Sequence, residues 1–320
     1  MRKKRSGSRV VFVALVANFA IALTKFAAAT MTGSAAMLSE GVHSLVDTVN
    51  ELLLLYGIHR SRKAPDRHRP FGYGRELYFW SFVVALLVLA LGAGVSCFEG
   101  IAHLLHPRPL ENPLVNYAVL AVSFVFEGLS WWFTLKAFRR SKGRQGWFEA
   151  FRTSKDPATF TVLFEDTAAL IGLVIAAAGI AGTQIFALPQ IDAIASLGIG
   201  VVLAISSLLL LRETKELLIG EPAHRGIRES ILRIAGNDRG IRHANGVLTT
   251  QIGPDEIVAA LSVEFEDELK TGDIEACINR VEKAVKAAHP DVAVLFVKPQ
   301  TEQTWQRRLS RVEQGKSATG

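Results

Sequence analysis

Apolar residues gather into runs of about 20 or more at about 10–31, 35–59, 77–103, 113–138, 157–182 and 189–212. A helix needs about that length, at 1.5 Å rise per residue, to cross the hydrocarbon core of a bilayer. Beyond about residue 215 charge and hydrophobicity mix, and the periods shorten. Gly226 to Ala235 reads as a short amphipathic helix, a strand follows at about 243–252, and Gly253-Pro254-Asp255 marks a turn. Ile257, Ala259, Leu261, Val263 and Phe265 then alternate with Val258, Ala260, Ser262 and Glu264, the period of a half-buried strand. Thr271 is placed to cap a helix reaching about Ala288, with Asp273 and Glu275 in its first turn, and Val292 to Val297 supplies a last strand. The predicted architecture is a membrane all-α bundle of six transmembrane helices over 1–215, then a small α/β domain of helix, strand, strand, helix, strand order over 216–299. The polar tail at 300–320 is expected to lack fixed structure.

Composition agrees with a two-zone chain. At 49% hydrophobic and 21% charged it is apolar for a soluble domain and too charged for membrane spans alone. The net charge of +6 is concentrated in Arg2 to Arg9, Arg60 to Arg75 and Arg139 to Lys155, whereas the turns around Gly33, His106 and Thr183 carry few Lys or Arg. Under the positive-inside rule this alternation marks cytoplasmic helix ends and puts both termini in the cytoplasm. The lipid bilayer, not nucleic acid, is therefore the expected partner of the basic clusters. The basic start before an apolar run also resembles a secretory signal, but Asn18, Thr24 and Lys25 interrupt its core and no polar mature segment follows, so a retained span is expected. Cys97 and Cys277 lie in different environments, which argues against a disulfide or a cysteine metal site.

Candidate chemistry lies inside the apolar runs, where ionisable groups are costly and therefore functional by default. In AAMLSEGVHSLVDTVNELLLL the residues Glu40, His43, Asp47, Asn50 and Glu51 fall within about a third of the helix circumference. Val42, Leu45, Val46, Val49, Leu52 and Leu53 take the rest. The polar arc must line a bundle interior or a water-filled path. An imidazole and a carboxylate at i and i+4 point the same way, which suits one divalent cation, and about four ligands are needed to hold it. Glu165 and Asp166 in the fifth run are the best further source. Thr161, Ala168, Ala169, Gly172, Ala176 and Gly179 lie near the Glu165 face, as tight helix packing requires, so Glu165 is the favoured ligand. Asp166 shares its face with Leu163, Leu170 and Leu173 and is placed as a neighbouring partner or proton acceptor. Glu99 and Glu127 read as buried structural carboxylates, with a proton-carrying group as the alternative for each, Lys25 as a snorkelling or paired cation, and Asp192 as a helix-start charge in preference to an entrance group. His59, His68, His103 and His106 read as surface histidines without carboxylates at ligand spacing.

The segments TGSAAMLSEGVHSLVDTVN, RPFGYGRELYFWSF and LLRETKELLIGEPA together resemble the cation diffusion facilitator family of divalent-metal/proton antiporters. SKDPATFTVLFEDTAALIG is further similar to the branch of mitochondrial zinc exporters and their bacterial relatives. The resemblance implies six spans, a metallochaperone-like cytoplasmic domain that forms a homodimer, and export of a divalent transition metal, Zn2+ foremost, in exchange for H+. It implies no catalytic centre and no resident cofactor, the metal being the transported substrate. In the family pattern spans two and five each supply an His-or-Asp plus Asp pair; His43 and Asp47 match the first, while Glu165 replaces the second His and Ala169 the second Asp. The implied metal residues are thus His43, Asp47 and Glu165, with Asp166 beside them. Ser262 and Phe296 stand where many members carry metal-binding histidines. A cytoplasmic membrane is the expected location in a bacterium, an organelle membrane otherwise. The competing reading is a non-transporting membrane scaffold or metal sensor acting through its cytoplasmic domain. An intramembrane metalloenzyme is disfavoured, since there is no His-Glu-x-x-His run or evident nucleophile and base pair.

Overall fold

The computed structural model describes residues 4–141 and 157–317; Arg2 and most of the basic segment from Arg139 to Lys155 lie outside the described residues. The chain divides into two compact units, Met1–Lys63 with Glu76–Lys215, and Ala64–Arg75 with Glu216–Gly320.

The first unit is helical. α1 (Lys4–Thr32) and α2 (Ala35–Ser61) are joined at Gly33, whose φ of +70° makes a turn that a side chain would strain. α3 (Arg75–Leu87) runs through a π-helical stretch, Val88–Ala93, into α4 (Gly94–Leu105). α5 (Pro113–Ser141), α6 (Pro157–Phe186) and α7 (Gln190–Ile219) follow. Among the described residues four stretches are long and apolar enough to cross a membrane: Arg75–Leu105, Pro113–Lys136, Phe160–Phe186 and Gln190–Ile219. Each coincides with an expected span, to within a few residues at either end for the first three, whereas Gln190–Ile219 continues beyond the expected end at 212. α1 and α2 are of similar length, and α2 carries Glu40, Asp47 and Glu51, which reduce its apolar content.

Polarity in this unit runs opposite to that of a water-soluble domain. Phe98, Leu114, Phe133, Ile185 and Val201 are exposed, whereas Ser39, Glu40, His43, Asn50, Ser96 and Thr161 are buried. Such a surface suits hydrocarbon, where exposed polar groups are the costly ones. The helices approach through small residues: a Cβ on Gly179 would collide with Ala195, one on Gly200 with Cys97, and one on Gly100 with Leu197. Ala28, Ala36, Ala168, Ala176 and Ala195 fill the core between them. Close packing of this kind is how helices associate without a hydrophobic driving force.

The second unit carries α8 (Arg225–Gly236), β1 (Ile241–Gly253), β2 (Glu256–Phe265), α9 (Thr271–Ala288), β3 (Val292–Pro299) and α10 (Glu302–Ser317). The sheet order is β1-β2-β3, with β2 antiparallel to β1 and parallel to β3. Ile257, Ala259, Leu261, Val263 and Phe265 are all buried and form the core with Ile231, Val281 and Val285, as the alternation predicts. Ser262 breaks the alternation: it is buried too, bonded to Asn245 and Gln300. Thr271 is the first residue of α9 and not its cap, and the Asp273 carboxylate accepts instead from the Lys270 amide.

The polar tail is a correction. Residues expected to be without structure form α10, because Trp305 is buried against Gly246, where a Cβ would meet its indole. One aromatic anchor outweighs the polar composition around it. The segment 64–75 belongs to this unit as well. Gly74 lies so close to Ile252 and Gly253 that no side chain fits, and Phe71 meets Phe296 edge to face with ring centroids 6.4 Å apart. Thus Phe296 packs on an aromatic ring and Ser262 is held by amides.

Candidate metal-binding site

α2 packs against α1, α4, the π-helical stretch and α6, so most of its polar arc is turned into the bundle, with Asp47 and Glu51 only partly covered. Leu45, Val49 and Leu52 take the exposed side, while Glu40, His43 and Asn50 are buried. His43 Nδ1 lies 3.4 Å from Asp47 Oδ1, near enough for an ion pair but without the alignment of a hydrogen bond. Both ring nitrogens of His43, Asp47 Oδ1, Glu40 Oε1 and Asn50 Oδ1 are buried and have no hydrogen-bond partner among the described residues. Unpaired buried polar atoms cost about 1–3 kcal/mol each, and a cation bound to them would remove that cost.

α6 brings the second half. Glu165 is buried, and its Oε1 accepts from Asn50 Nδ2 at 2.8 Å, which fixes the carboxylate toward α2. Asp166 accepts from Ser130 Oγ of α5 at 3.0 Å. A cavity of about 70 Å³ is lined by Asp47, Glu165 and Asp166, together with Glu51 and Glu127. Asp47 and the two acidic residues of α6 thus meet at one cavity, and His43 sits behind it in contact with Asp47. In this conformation no three His, Cys, Asp or Glu side chains among the described residues converge at metal-ligand distance. Binding therefore needs rotamer changes around the cavity. Ala169 is buried and contributes no donor where the family pattern has a carboxylate.

The structure adds to the readings of several residues. Glu127 lies 3.9 Å from Lys25 Nζ, as a buried carboxylate with a neighbouring partner would, and it also lines the cavity. Its period on α5 gives no hint of the cavity, because the signal is the convergence of four helices, α1, α2, α5 and α6. Asn50 was on the predicted arc, but its bond to Glu165 spans 115 positions. Lys25 is paired, not snorkelling: Nζ is 3.0 Å from Glu40 Oε2 and 2.6 Å from Ser44 Oγ. Asp192 does lie in the first turn of α7, yet its carboxylate accepts from the amides of Ala35 and Ala36 and from Ser34 Oγ, capping α2. His103 is a correction, since Glu99 precedes it by four residues with Oε2 3.7 Å from Nε2. Both line a separate cavity of about 510 Å³ with His106 and Arg108.

A helical bundle with an apolar exterior, enclosing carboxylates and an imidazole with unpaired nitrogens, has the surface and interior of an integral membrane protein. The sequence model of the cation efflux transmembrane domain matches residues 11–219, and the chain belongs to that family. It is 35% identical over 265 residues to the mitochondrial proton-coupled zinc antiporter SLC30A9 of Mus musculus, covering 82% of this chain and 47% of that protein. Metal tolerance protein C4 of Arabidopsis thaliana is 28% identical over 263 residues, 82% of this chain and 58% of its own. The cation-efflux pump FieF of Cronobacter sakazakii is 26% identical over 290 residues, 90% of this chain and 91% of its own. The chain spans about half the length of the SLC30A9 relatives it matches. The antiporter and the efflux pump among these relatives are cation transporters and not enzymes.

Proposed function

We propose that the chain is a secondary active transporter that exports a divalent transition metal, Zn2+ foremost, in exchange for protons. His43, Asp47 and Glu165 bind the ion, and Asp166 serves as a further ligand or as proton acceptor. The observation that carries this reading is the cavity where Asp47 of α2 meets Glu165 and Asp166 of α6, beside a buried imidazole whose nitrogens have no hydrogen-bond partner among the described residues. Imidazole and carboxylate bind metal in their deprotonated forms, so arrival of the ion displaces protons and protonation favours release. Alternating exposure of the site by rocking of the helices completes the cycle. This donor set admits zinc, cobalt, manganese and iron; the zinc assignment takes its support from the relatives named as zinc antiporters.

The long helices and their apolar exterior support six spans over 1–215; the placement of the basic clusters in the sequence argues for both termini being cytoplasmic, and in a bacterium the cytoplasmic membrane is the proposed residence. Residues 216–299 then form a cytoplasmic domain through which two copies pair. Leu248, Ala260 and Phe296 lie in one row on the sheet face opposite the α8 and α9 core and are exposed, which supports self-association there. The test of ion and coupling is competition in proteoliposomes: zinc uptake under an imposed pH gradient, challenged with manganese, iron, cobalt or cadmium. Zinc is expected to be the preferred ion and uptake to follow the gradient; uptake that ignores the gradient removes proton antiport.

A further inference from the structure

The amine of Lys25 is fully buried in the bundle, and the transport scheme above gives it no task. It projects from α1 to Glu40 Oε2 at 3.0 Å and Ser44 Oγ at 2.6 Å, and lies 3.9 Å from Glu127 Oε1. Ser44 and Glu127 both line the carboxylate cavity, so the ammonium lies directly behind its wall, in contact with two of the residues that form it. Glu40 is three residues before His43 on the same arc, and its Oε1 has no hydrogen-bond partner among the described residues. That oxygen occupies space which a Cβ on Gly172 of α6 would fill, so the opposing helix is shaped around the pair.

A buried ion pair is a poor source of stability, because desolvation offsets its attraction. A fixed positive charge beside a cation site has a more definite consequence. The cavity is lined by five carboxylates, from Asp47, Glu51, Glu127, Glu165 and Asp166. In a low dielectric such a set holds a divalent ion strongly, yet transport requires binding that is weak enough to reverse. Neutral residues at positions 25 and 40 would brace α1 against α2 equally well without placing a charge behind the wall.

We propose that Lys25 is an affinity-setting residue of the transport site: its tethered ammonium offsets part of the carboxylate charge, and Glu40 sets how much of that positive charge the ion meets. The proposal rests on the transport reading. Lys25 touches no cargo in this scheme and acts through the charge it places behind the wall.

The test is a charge cycle on the full-length protein, read as KM and kcat for zinc uptake into proteoliposomes. Lys25→Met is expected to lower KM about tenfold, equivalent to about 1.4 kcal/mol, and to slow turnover as release becomes limiting. Glu40→Gln leaves the ammonium less neutralised and is expected to raise KM by a similar factor. The double variant should return KM to within about threefold of the wild type, and Lys25→Arg should resemble the wild type. If KM is the same in all folded variants, or Lys25→Met raises it, Lys25 is a brace only and the proposal is overturned. Should Lys25→Met fail to fold, Glu40→Gln and the double variant decide alone: an unchanged KM in Glu40→Gln overturns the proposal. Wild-type protein that moves no zinc overturns the transport reading and this proposal together, whereas wild-type transport with invariant KM overturns this proposal only.

Discussion

Asn50 holds Glu165 by one hydrogen bond to a carboxylate, and that bond turns this carboxylate of α6 toward α2. Bonds of this kind are worth about 1.5–3 kcal/mol. Asn50→Ala is therefore expected to lower the initial rate of zinc uptake about tenfold, while Asn50→Gln, with the same amide on a longer stem, retains more. Gly172→Ala places a methyl group on the Glu40 carboxylate, and overpacking costs about 1–3 kcal/mol; a lower thermal unfolding midpoint in detergent is the expected result, relieved by Glu40→Asp. The polar arc of α2 was legible in the sequence because helical period alone assigns residues to a face. The partners of that arc were not. Lys25 to Glu40, Asn50 to Glu165 and Asp192 to the start of α2 each join different helices, and no periodic pattern records such a contact.

Elements followed the hydrophobic pattern closely where a single face or a full apolar run defined them. The three strands lie within a few residues of their predicted ranges, and the long helices overlap theirs, with α1 starting before and α7 ending after the apolar run. The failures came where one residue overrode composition. α10 exists because Trp305 packs on Gly246, so Gly246→Ala is expected to lower stability by about 1–3 kcal/mol, visible as partial loss of helicity and a shifted tryptophan emission. The turn after α8 is tied to α9 through Asp238, whose carboxyl accepts from Arg280 Nε and Nη2 at 2.9 and 2.8 Å, from the Gly240 amide and from the Cys277 thiol. The Arg280 guanidinium holds the Asp238 carboxyl well below the usual carboxylate range. A carboxyl depressed on folding contributes stability above its unfolded pKa, about 3.9, and loses it as pH falls toward the folded value. Unfolding midpoints should therefore drop from about pH 4 downward, and Asp238→Asn should flatten that drop while lowering stability at neutral pH. Burial, with Asp238 beside it, pushes the Cys277 thiol up to about 11, so thiol reagents at neutral pH should label it only after unfolding.

At the scale of the whole molecule the two units have opposite surfaces. The helical unit shows Phe98, Leu114 and Ile185 to its surroundings and encloses Lys25, Glu40 and Glu165; the α/β unit encloses Leu261, Val281 and Val285 and exposes Arg242, Asp267 and Lys286. That contrast follows from one rule applied in two solvents, and the shift in sequence pattern near residue 215 announced it. The segment 64–75 did not announce its place: Pro, Gly and Arg mark it as a loop, and only the fit of Gly74 against β1 assigns it to the second unit. The central claim is that the arc on α2 binds a transported ion. It is tested most directly by zinc uptake into proteoliposomes under an imposed pH gradient, comparing the wild type with His43→Ala plus Asp47→Ala at equal folded protein. The double variant is expected to fall at least about tenfold, to near the rate of protein-free vesicles, whereas zinc uptake at the wild-type rate in that variant would contradict the site.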